Sequence, residues 1–190
     1  MSDHVAIVIT AWATVGAAIA AFLAVHIGRR QGHDTLQEAH RATDATVRQA
    51  KVATAYQLIT QLDAQWNSSA MRAKRQSAAQ LLLPLQPLPE NDEPDDIIDL
   101  FETLALCVQD DIIPLTLASH FFSYWLIPYW FAAAARVNHV RSKNPTIWED
   151  LAAFMPTLLD YQARRRQRTV AEVTPTTEHL RKFLQEETKA

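Results

Sequence analysis

Residues Val5 to Ile27 read VAIVITAWATVGAAIAAFLAVHI, a run without Asp, Glu, Lys or Arg that is followed by Gly28-Arg29-Arg30. An α-helix rises about 1.5 Å per residue, so this run would be roughly 34 Å long and would cross a hydrocarbon core of about 30 Å. We therefore predict a transmembrane helix over residues 5–28, with residues 5–27 in the lipid bilayer and residues 1–4 outside it.

Two other interpretations of this run remain open. A secretory signal peptide needs a basic start and an apolar core of about 7–15 residues. Here the start is Met1-Ser2-Asp3-His4 and the run is longer, although Ala18-Ile19-Ala20 fits a cleavage pattern. The second interpretation is a buried core helix of a soluble protein.

The flanking charges predict the orientation of the helix. Arg29 and Arg30 follow it, and no Lys or Arg precedes it. The positive-inside rule therefore predicts that the amino terminus lies outside the membrane and the bulk of the chain lies in the cytoplasm. The single cysteine, Cys107, agrees with a reducing compartment because one thiol cannot form an internal disulfide.

Small residues recur at four-residue spacing within the predicted span, and such rows let two helices approach closely in lipid. This pattern predicts a transmembrane packing face and makes a homo-oligomer a candidate; the alternative is that alanine merely fills a weakly apolar span. The residues of the predicted face are Ala13, Gly16, Ala17, Ala20 and Ala24.

The composition predicts an all-α protein. The chain has 190 residues, 48% of them hydrophobic and only 3 of them Gly, which suits helices better than sheets with tight turns. After the transmembrane helix we predict a polar helical stalk over residues 29–51, a helical bundle over 52–168 and a tail over 169–190 that holds a short helix. The net charge of −3, with both signs interspersed, predicts no nucleic-acid partner.

Apolar periodicity predicts that four helices surround a central aromatic helix. They span residues 52–66, 70–83, 95–110 and 146–163. We expect a serine of Asn67-Ser68-Ser69 to cap the second, Asp95 or Asp96 the third, and Thr146 the fourth. The string PLQPLPENDEP, which holds four prolines, predicts a loop between the second and third helices.

The central helix carries the string FFSYWLIPYWF, residues 121–131, in which seven of eleven side chains are aromatic. Residues 112–135 contain no Asp, Glu, Lys or Arg, so a second membrane span is an alternative. It would carry Arg136, Arg141 and Lys143 outward, against the charge rule. We therefore predict a core helix, kinked at Pro128, in which aromatic side chains on all sides must be covered by neighbours.

The layout also resembles a known family. After the anchor come WNSSAMRAKR, DIIDLFETLALCVQDDIIPL, HFFSYWLIPYW, RVNHVR and IWEDLAAF, all between residues 66 and 154. This pattern is similar, over residues 5–163, to the bacterial membrane-anchored proteins of the domain-of-unknown-function 4760 family. The resemblance implies a bacterial inner (plasma) membrane and brings no catalytic residues.

Motifs for metal, cofactor or catalytic chemistry are weak. His33 and His40 lie seven residues apart, but no paired ExxH or Cys-Cys pattern accompanies them, so we predict solvated stalk residues, no metal and no cofactor. Arg136 and His139 are spaced too closely for the Arg-x-His pairs of helical ribonucleases. We expect His120 to be a buried or capping residue.

The resulting hypothesis is a non-enzymatic, membrane-tethered helical interaction module, a scaffold, sensor or accessory subunit with an unknown protein partner. The alternative is a membrane-anchored enzyme or anion-binding domain whose pocket is lined by Arg72, Arg75, Arg136 and Arg141. These side chains are candidate anion or partner contacts. For the last two, we weigh this role against ion pairs with Glu102 or Asp99.

Overall fold

The computed structural model describes residues 43–85 and 94–189. The chain divides into two units, Met1–Ala50 and Lys51–Ala190. Of the first unit, residues 43–50 are helical and exposed. The predicted transmembrane helix, its small-residue face and most of the stalk lie outside the described residues. Among the helices within them, none is long and apolar enough to cross a membrane.

The second unit is helical, and the part of it that the structure describes contains no strand, which confirms the all-α prediction. The helix that ends at residue 66 is α1, of which residues 51–66 belong to this unit. A short α7 between α6 and α8 was not predicted. The other elements are α2 (Ser69–Leu82), α3 (Asp95–Gln109), α4 (Leu115–Ala132), α5 (Ala134–Lys143), α6 (Glu149–Arg166), α7 (Val170–Val173) and α8 (Thr177–Glu187).

α1 and α2 follow from local sequence signals. Ala55, Ile59, Leu62 and Trp66 repeat every three or four residues, and all four are buried on one face of α1. The Ser68 hydroxyl oxygen accepts the backbone N–H of Met71 at 3.2 Å, so the predicted cap at the start of α2 is confirmed.

α4 lies among its neighbours, in contact with α3, α5, α6 and α8. Phe122 and Tyr129 of α4 are fully buried and meet Trp66 of α1 edge to face, with ring centroids 6.4 and 6.0 Å apart. Trp125 and Trp130 are only partly buried against this core. Helices of its own domain therefore cover part of the aromatic helix, but its two tryptophans lie at the margin of the core and Tyr124 is exposed. The prediction that its aromatic side chains are covered on all sides is wrong, because the neighbouring helices leave more than half of Tyr124 exposed.

Three details differ from the predictions, beginning with the end of the aromatic helix. α4 continues through Pro128, and the chain breaks at Ala133, between α4 and α5. The kink expected at Pro128 stays a prediction, and α6 likewise continues through Pro156. Proline removes one backbone donor and crowds the preceding turn. The burial of Pro128 among neighbouring helices offsets this loss, so packing rather than the ring determines where α4 ends.

The second difference concerns helix caps. Pro94, and not Asp95 or Asp96, precedes α3, and no side chain caps it. α6 begins after Trp148, whose φ of 55° is left-handed, and Thr146 instead donates its hydroxyl to the Asn144 side chain at 2.9 Å. Asp95 and Asp96 instead form ion pairs with residues more than 20 positions away along the chain. The start of α6 is likewise capped by a distant side chain, that of Glu102.

The third difference is the carboxyl end of the chain. Residues 169–190 were expected to form a tail with a short helix. That helix is present as α8, but it packs against α2 and α4. Leu180, Phe183, Leu184 and Glu187 make one buried face of α8 at helical spacing. The bundle therefore extends to the end of α8.

Candidate functional site

Arg75 of α2 is the centre of a buried polar cluster. Its Nε donates to Glu187 Oε2 at 2.9 Å, and both side chains are less than a tenth exposed. Its guanidinium carbon lies 4.5 Å from the centroid of the Trp66 ring and 5.9 Å from that of Trp125, within the range of cation–π attraction. The charge predicted to line a pocket is thus enclosed by two indoles and a carboxylate.

Tyr129 completes this cluster from α4. Its hydroxyl donates to Glu187 Oε2 at 2.9 Å, so one carboxylate oxygen accepts from both Tyr129 and Arg75. Burial, together with the charge of Glu187, raises the pKa of Tyr129 far above its usual value, so the phenol remains a hydrogen-bond donor. The indole N–H of Trp66 is buried beside it without a hydrogen-bond acceptor among the described residues. The cluster joins α1, α2, α4 and α8.

Asp95, Asp99 and Glu102 form a second polar system along one face of α3. Their spacing of four and three residues places them in one row. Asp95 accepts both the Nε and the Nη2 of Arg136, at 3.1 and 2.6 Å, a bidentate geometry. Asp99 Oδ1 accepts the indole N–H of Trp148 at 2.7 Å. The prediction that Arg136 meets Glu102 or Asp99 is therefore corrected to Asp95, one or two turns earlier.

Glu102 caps α6 from a different helix. Its two carboxylate oxygens accept the backbone N–H groups of Asp150 at 3.2 Å and Leu151 at 2.7 Å. Burial raises the pKa of Glu102, and the two backbone hydrogen bonds act in the opposite direction. The acid that was a candidate partner for an arginine instead satisfies free donors at the start of α6.

The four arginines predicted as contacts have separate environments. Arg75 binds Glu187, and Arg136 binds Asp95. Arg141 donates from Nη1 to the backbone carbonyl of Ile147 at 2.8 Å, and Arg72 is exposed on α2. Their described contacts therefore build three separate structural links and no shared pocket.

A hollow with basic side chains lies elsewhere, and sequence reasoning missed it. A cavity of about 300 Å³ opens beside Tyr124, between α4 and the segment that runs from the end of α6 to α8; we call it the Tyr124 cleft. Arg166, Arg168 and His179 line it. The signal was present as the basic end of α6, but only the fold shows which of those arginines share a cavity.

Metal and thiol chemistry have no support in the part of the chain that the structure describes. No group of three His, Cys, Asp or Glu side chains there could hold a metal ion. His33 and His40 lie outside that part, and His120 is exposed with its ring 5.5 Å from that of Phe121. Burial and the neighbouring Asp110 raise the pKa of the Cys107 thiol, which lowers its thiolate fraction and its reactivity.

Comparison with known proteins identified no relative of this chain. No protein-family model, no curated protein and no solved structure matches the chain. The resemblance to the domain-of-unknown-function 4760 family therefore rests on the residues quoted above alone.

Proposed function

We propose that the chain is a membrane-tethered helical interaction module, a scaffold, sensor or accessory subunit of the bacterial inner membrane. The tether is the charge-free run Val5 to Ile27, oriented by Arg29 and Arg30 so that the amino terminus is outside. The bundle is the cytoplasmic part that meets a partner, either another protein or a second copy of the chain.

The observation that carries this proposal is the internal pairing of the buried charges. Arg75 is held by Glu187 and Arg136 by Asp95, so these charges join helices to one another. Buried ionisable groups at catalytic sites are instead aimed at a cavity in which a substrate would be bound. The alternative, an enzyme or anion-binding domain built on Arg72, Arg75, Arg136 and Arg141, would need these side chains to converge.

The surface of the bundle supplies apolar positions that a partner would cover. Val52 and Tyr56 lie four residues apart on the outer side of α1, and each is 56% exposed. Tyr124 on α4 is 59% exposed, and Leu106 near the end of α3 is 45% exposed. Aromatic residues at such positions are enriched in protein interfaces.

Site-specific photocrosslinking in native membranes tests the proposal. A photoactivatable phenylalanine analogue replaces Tyr56, Leu106 or Tyr124 in the full chain, and the exposed polar positions Gln80 and Arg181 serve as controls. We expect a discrete adduct from one apolar position and none from either control. An adduct of twice the mass of the chain would identify a homo-oligomer, and another mass a different partner. Equal adducts at all five positions, or none at the three apolar ones, would contradict the proposal.

A further inference from the structure

Two arginines at the end of α6, Arg166 and Arg168, line the Tyr124 cleft. The N–H of Gln167 bonds to the carbonyl of Arg164 at 3.2 Å, and that of Arg168 bonds to the carbonyl of Ala163 at 2.9 Å. These two bonds form the tight turn that commonly ends a helix. Gln167 itself is left-handed, with φ 53°, so the chain reverses between Arg166 and Arg168 and both side chains line the cavity.

The amino end of α8 opens on the same cavity. Thr176 precedes α8, lines the cleft and accepts the backbone N–H of His179 on its hydroxyl oxygen at 3.2 Å. The first N–H groups of a helix attract anions, because they are unpaired within the helix and lie at the positive end of its dipole. The first turn of α8 also carries the acidic Glu178, which does not line the cleft. A neighbouring hollow of about 240 Å³ shares Tyr124 and His179 and is also lined by Lys182 and Glu186, whose opposite charges offset each other.

One carboxylate, Glu172, also lines the cleft. Its Oε2 accepts the backbone N–H of Thr169 at 2.7 Å and the Thr169 hydroxyl at 2.8 Å, so it is engaged at the start of α7. These hydrogen bonds lower the pKa of Glu172, and the charge of Arg168 adds to the effect. With one carboxylate against two guanidinium groups, the lining of the cleft has a net positive charge.

Apolar residues from both sides also line the cleft. They are Ile127 and Pro128 of α4, and Val173 and Pro175 of the segment between α6 and α8. A volume of about 300 Å³ is at the lower limit of ligand pockets. A lining that combines cations with apolar side chains fits a small anion that carries an organic group, and guanidinium groups match the oxygens of a phosphate.

We propose that the Tyr124 cleft is a binding site for a small organic phosphate, supplied either as a free molecule or as the headgroup of an anionic lipid. Arg166 and Arg168 bind the phosphate oxygens, the amino end of α8 faces the same group, and Tyr124 contacts the organic part. This site goes beyond the interaction module proposed above and needs neither the tether nor a protein partner.

A simpler role exists for the same arginines, and the chain provides the control that separates the two. Cations at the carboxyl end of a helix are stabilising without any ligand. Arg164 and Arg165 belong to the same basic end of α6 but do not line the cleft. A ligand site depends on Arg166 and Arg168 alone, whereas a general effect of charge depends equally on both pairs.

The test measures thermal unfolding of the full chain in neutral detergent, with glycerol 3-phosphate or inorganic phosphate added against chloride at matched ionic strength. A ligand that binds only the folded state raises the melting midpoint by about 3–6 °C at about ten times its Kd. We expect this rise in the wild-type protein and in the control Arg164→Gln/Arg165→Gln, and its loss in Arg166→Gln/Arg168→Gln. The same three proteins in phosphatidylcholine nanodiscs, with and without phosphatidic acid, test the lipid source.

Each result of these unfolding measurements either supports or overturns the proposed phosphate site. A rise with soluble phosphates assigns a free ligand, and a rise only with phosphatidic acid assigns a lipid headgroup, provided that Arg166→Gln/Arg168→Gln abolishes it. Equal shifts in the two double variants would overturn the proposal in favour of general screening of charge. No shift with any probe would overturn it as well. None of these results depends on the crosslinking outcome, so the two proposals fail independently.

Discussion

Arg75 and Lys74 are adjacent on α2, and their environments differ sharply. Arg75 is buried with Glu187, whereas Lys74 pairs with Asp96 at 2.7 Å with both side chains about half exposed. The sequence predicted Arg75 as a candidate anion or partner contact. It did not predict that Arg75 pairs with Glu187, which lies 112 residues away. Position along the chain predicts which side of a helix a residue occupies, but it does not predict which distant helix covers that side.

The two positions give a matched pair of substitutions. Arg75→Met leaves the Glu187 carboxylate buried without its cation, so we expect a loss of about 3–5 kcal/mol in the free energy of unfolding. Lys74→Met removes an exposed pair and should cost less than about 1 kcal/mol. Thermal melts of both variants in neutral detergent check this difference. Similar midpoints for the two would mean that the Arg75 cluster does not hold α8 on the bundle.

At the scale of elements, signals that act over a few residues predicted the structure well. Ser68 caps α2 because its acceptor lies three residues from the donor, and the apolar face of α1 follows from spacing alone. The start of α6 could not be predicted in this way. Trp148 adopts a left-handed conformation before it, Asp99 of α3 binds the Trp148 indole, and Glu102 of α3 accepts the first N–H groups.

The cleft shows the same limit for function. The basic end of α6 holds Arg164, Arg165, Arg166 and Arg168, and residue type alone does not distinguish among them. The left-handed turn at Gln167 selects two of them for the cavity, and a non-glycine residue in this conformation is not foreseen from residue type. The sequence therefore predicted which side chains are basic, but it did not predict which of them lie together in one cavity.

The cap that Glu102 provides predicts a specific dependence of stability on pH. Burial raises the pKa of Glu102 above its ordinary 4.5, so the folded state binds this proton more tightly than the unfolded state does. The contribution of Glu102 to stability is therefore fully present below the unfolded pKa, and it decreases as pH rises toward the folded pKa. Glu102→Gln cannot titrate and lacks this decrease.

Unfolding midpoints of wild type and Glu102→Gln from pH 4 to pH 7 measure the effect. We expect the wild-type advantage over the variant to shrink as the pH rises through the acid range. The charge of Glu149, at the first position of α6, contributes to the raised pKa of Glu102, so Glu149→Gln should weaken this pH dependence without abolishing it. A wild-type advantage that grows with pH would show that the hydrogen bonds from Asp150 and Leu151 outweigh burial.

For the whole molecule, the charges that flank the proposed tether predict on which side of the membrane the bundle lies. Arg29 and Arg30 follow the charge-free run, and Asp3 precedes it. Because positive residues are retained on the cytoplasmic side, we predict that the bundle is cytoplasmic. A carboxy-terminal reporter enzyme that works only in the cytoplasm should then be active, and one that works only in the periplasm should be inactive.

A charge-reversed variant sharpens this prediction. Asp3→Lys and His4→Lys, combined with Arg29→Gln and Arg30→Gln, move the positive charge to the other end of the run without altering its apolar residues. If flanking charge sets the orientation, this variant should lose cytoplasmic and gain periplasmic reporter activity. Periplasmic activity of the unaltered chain would place the bundle outside and Cys107 in an oxidising compartment. Cytoplasmic activity in both proteins, with the chain released from membranes by high salt, would remove the tether and leave the bundle as a soluble domain.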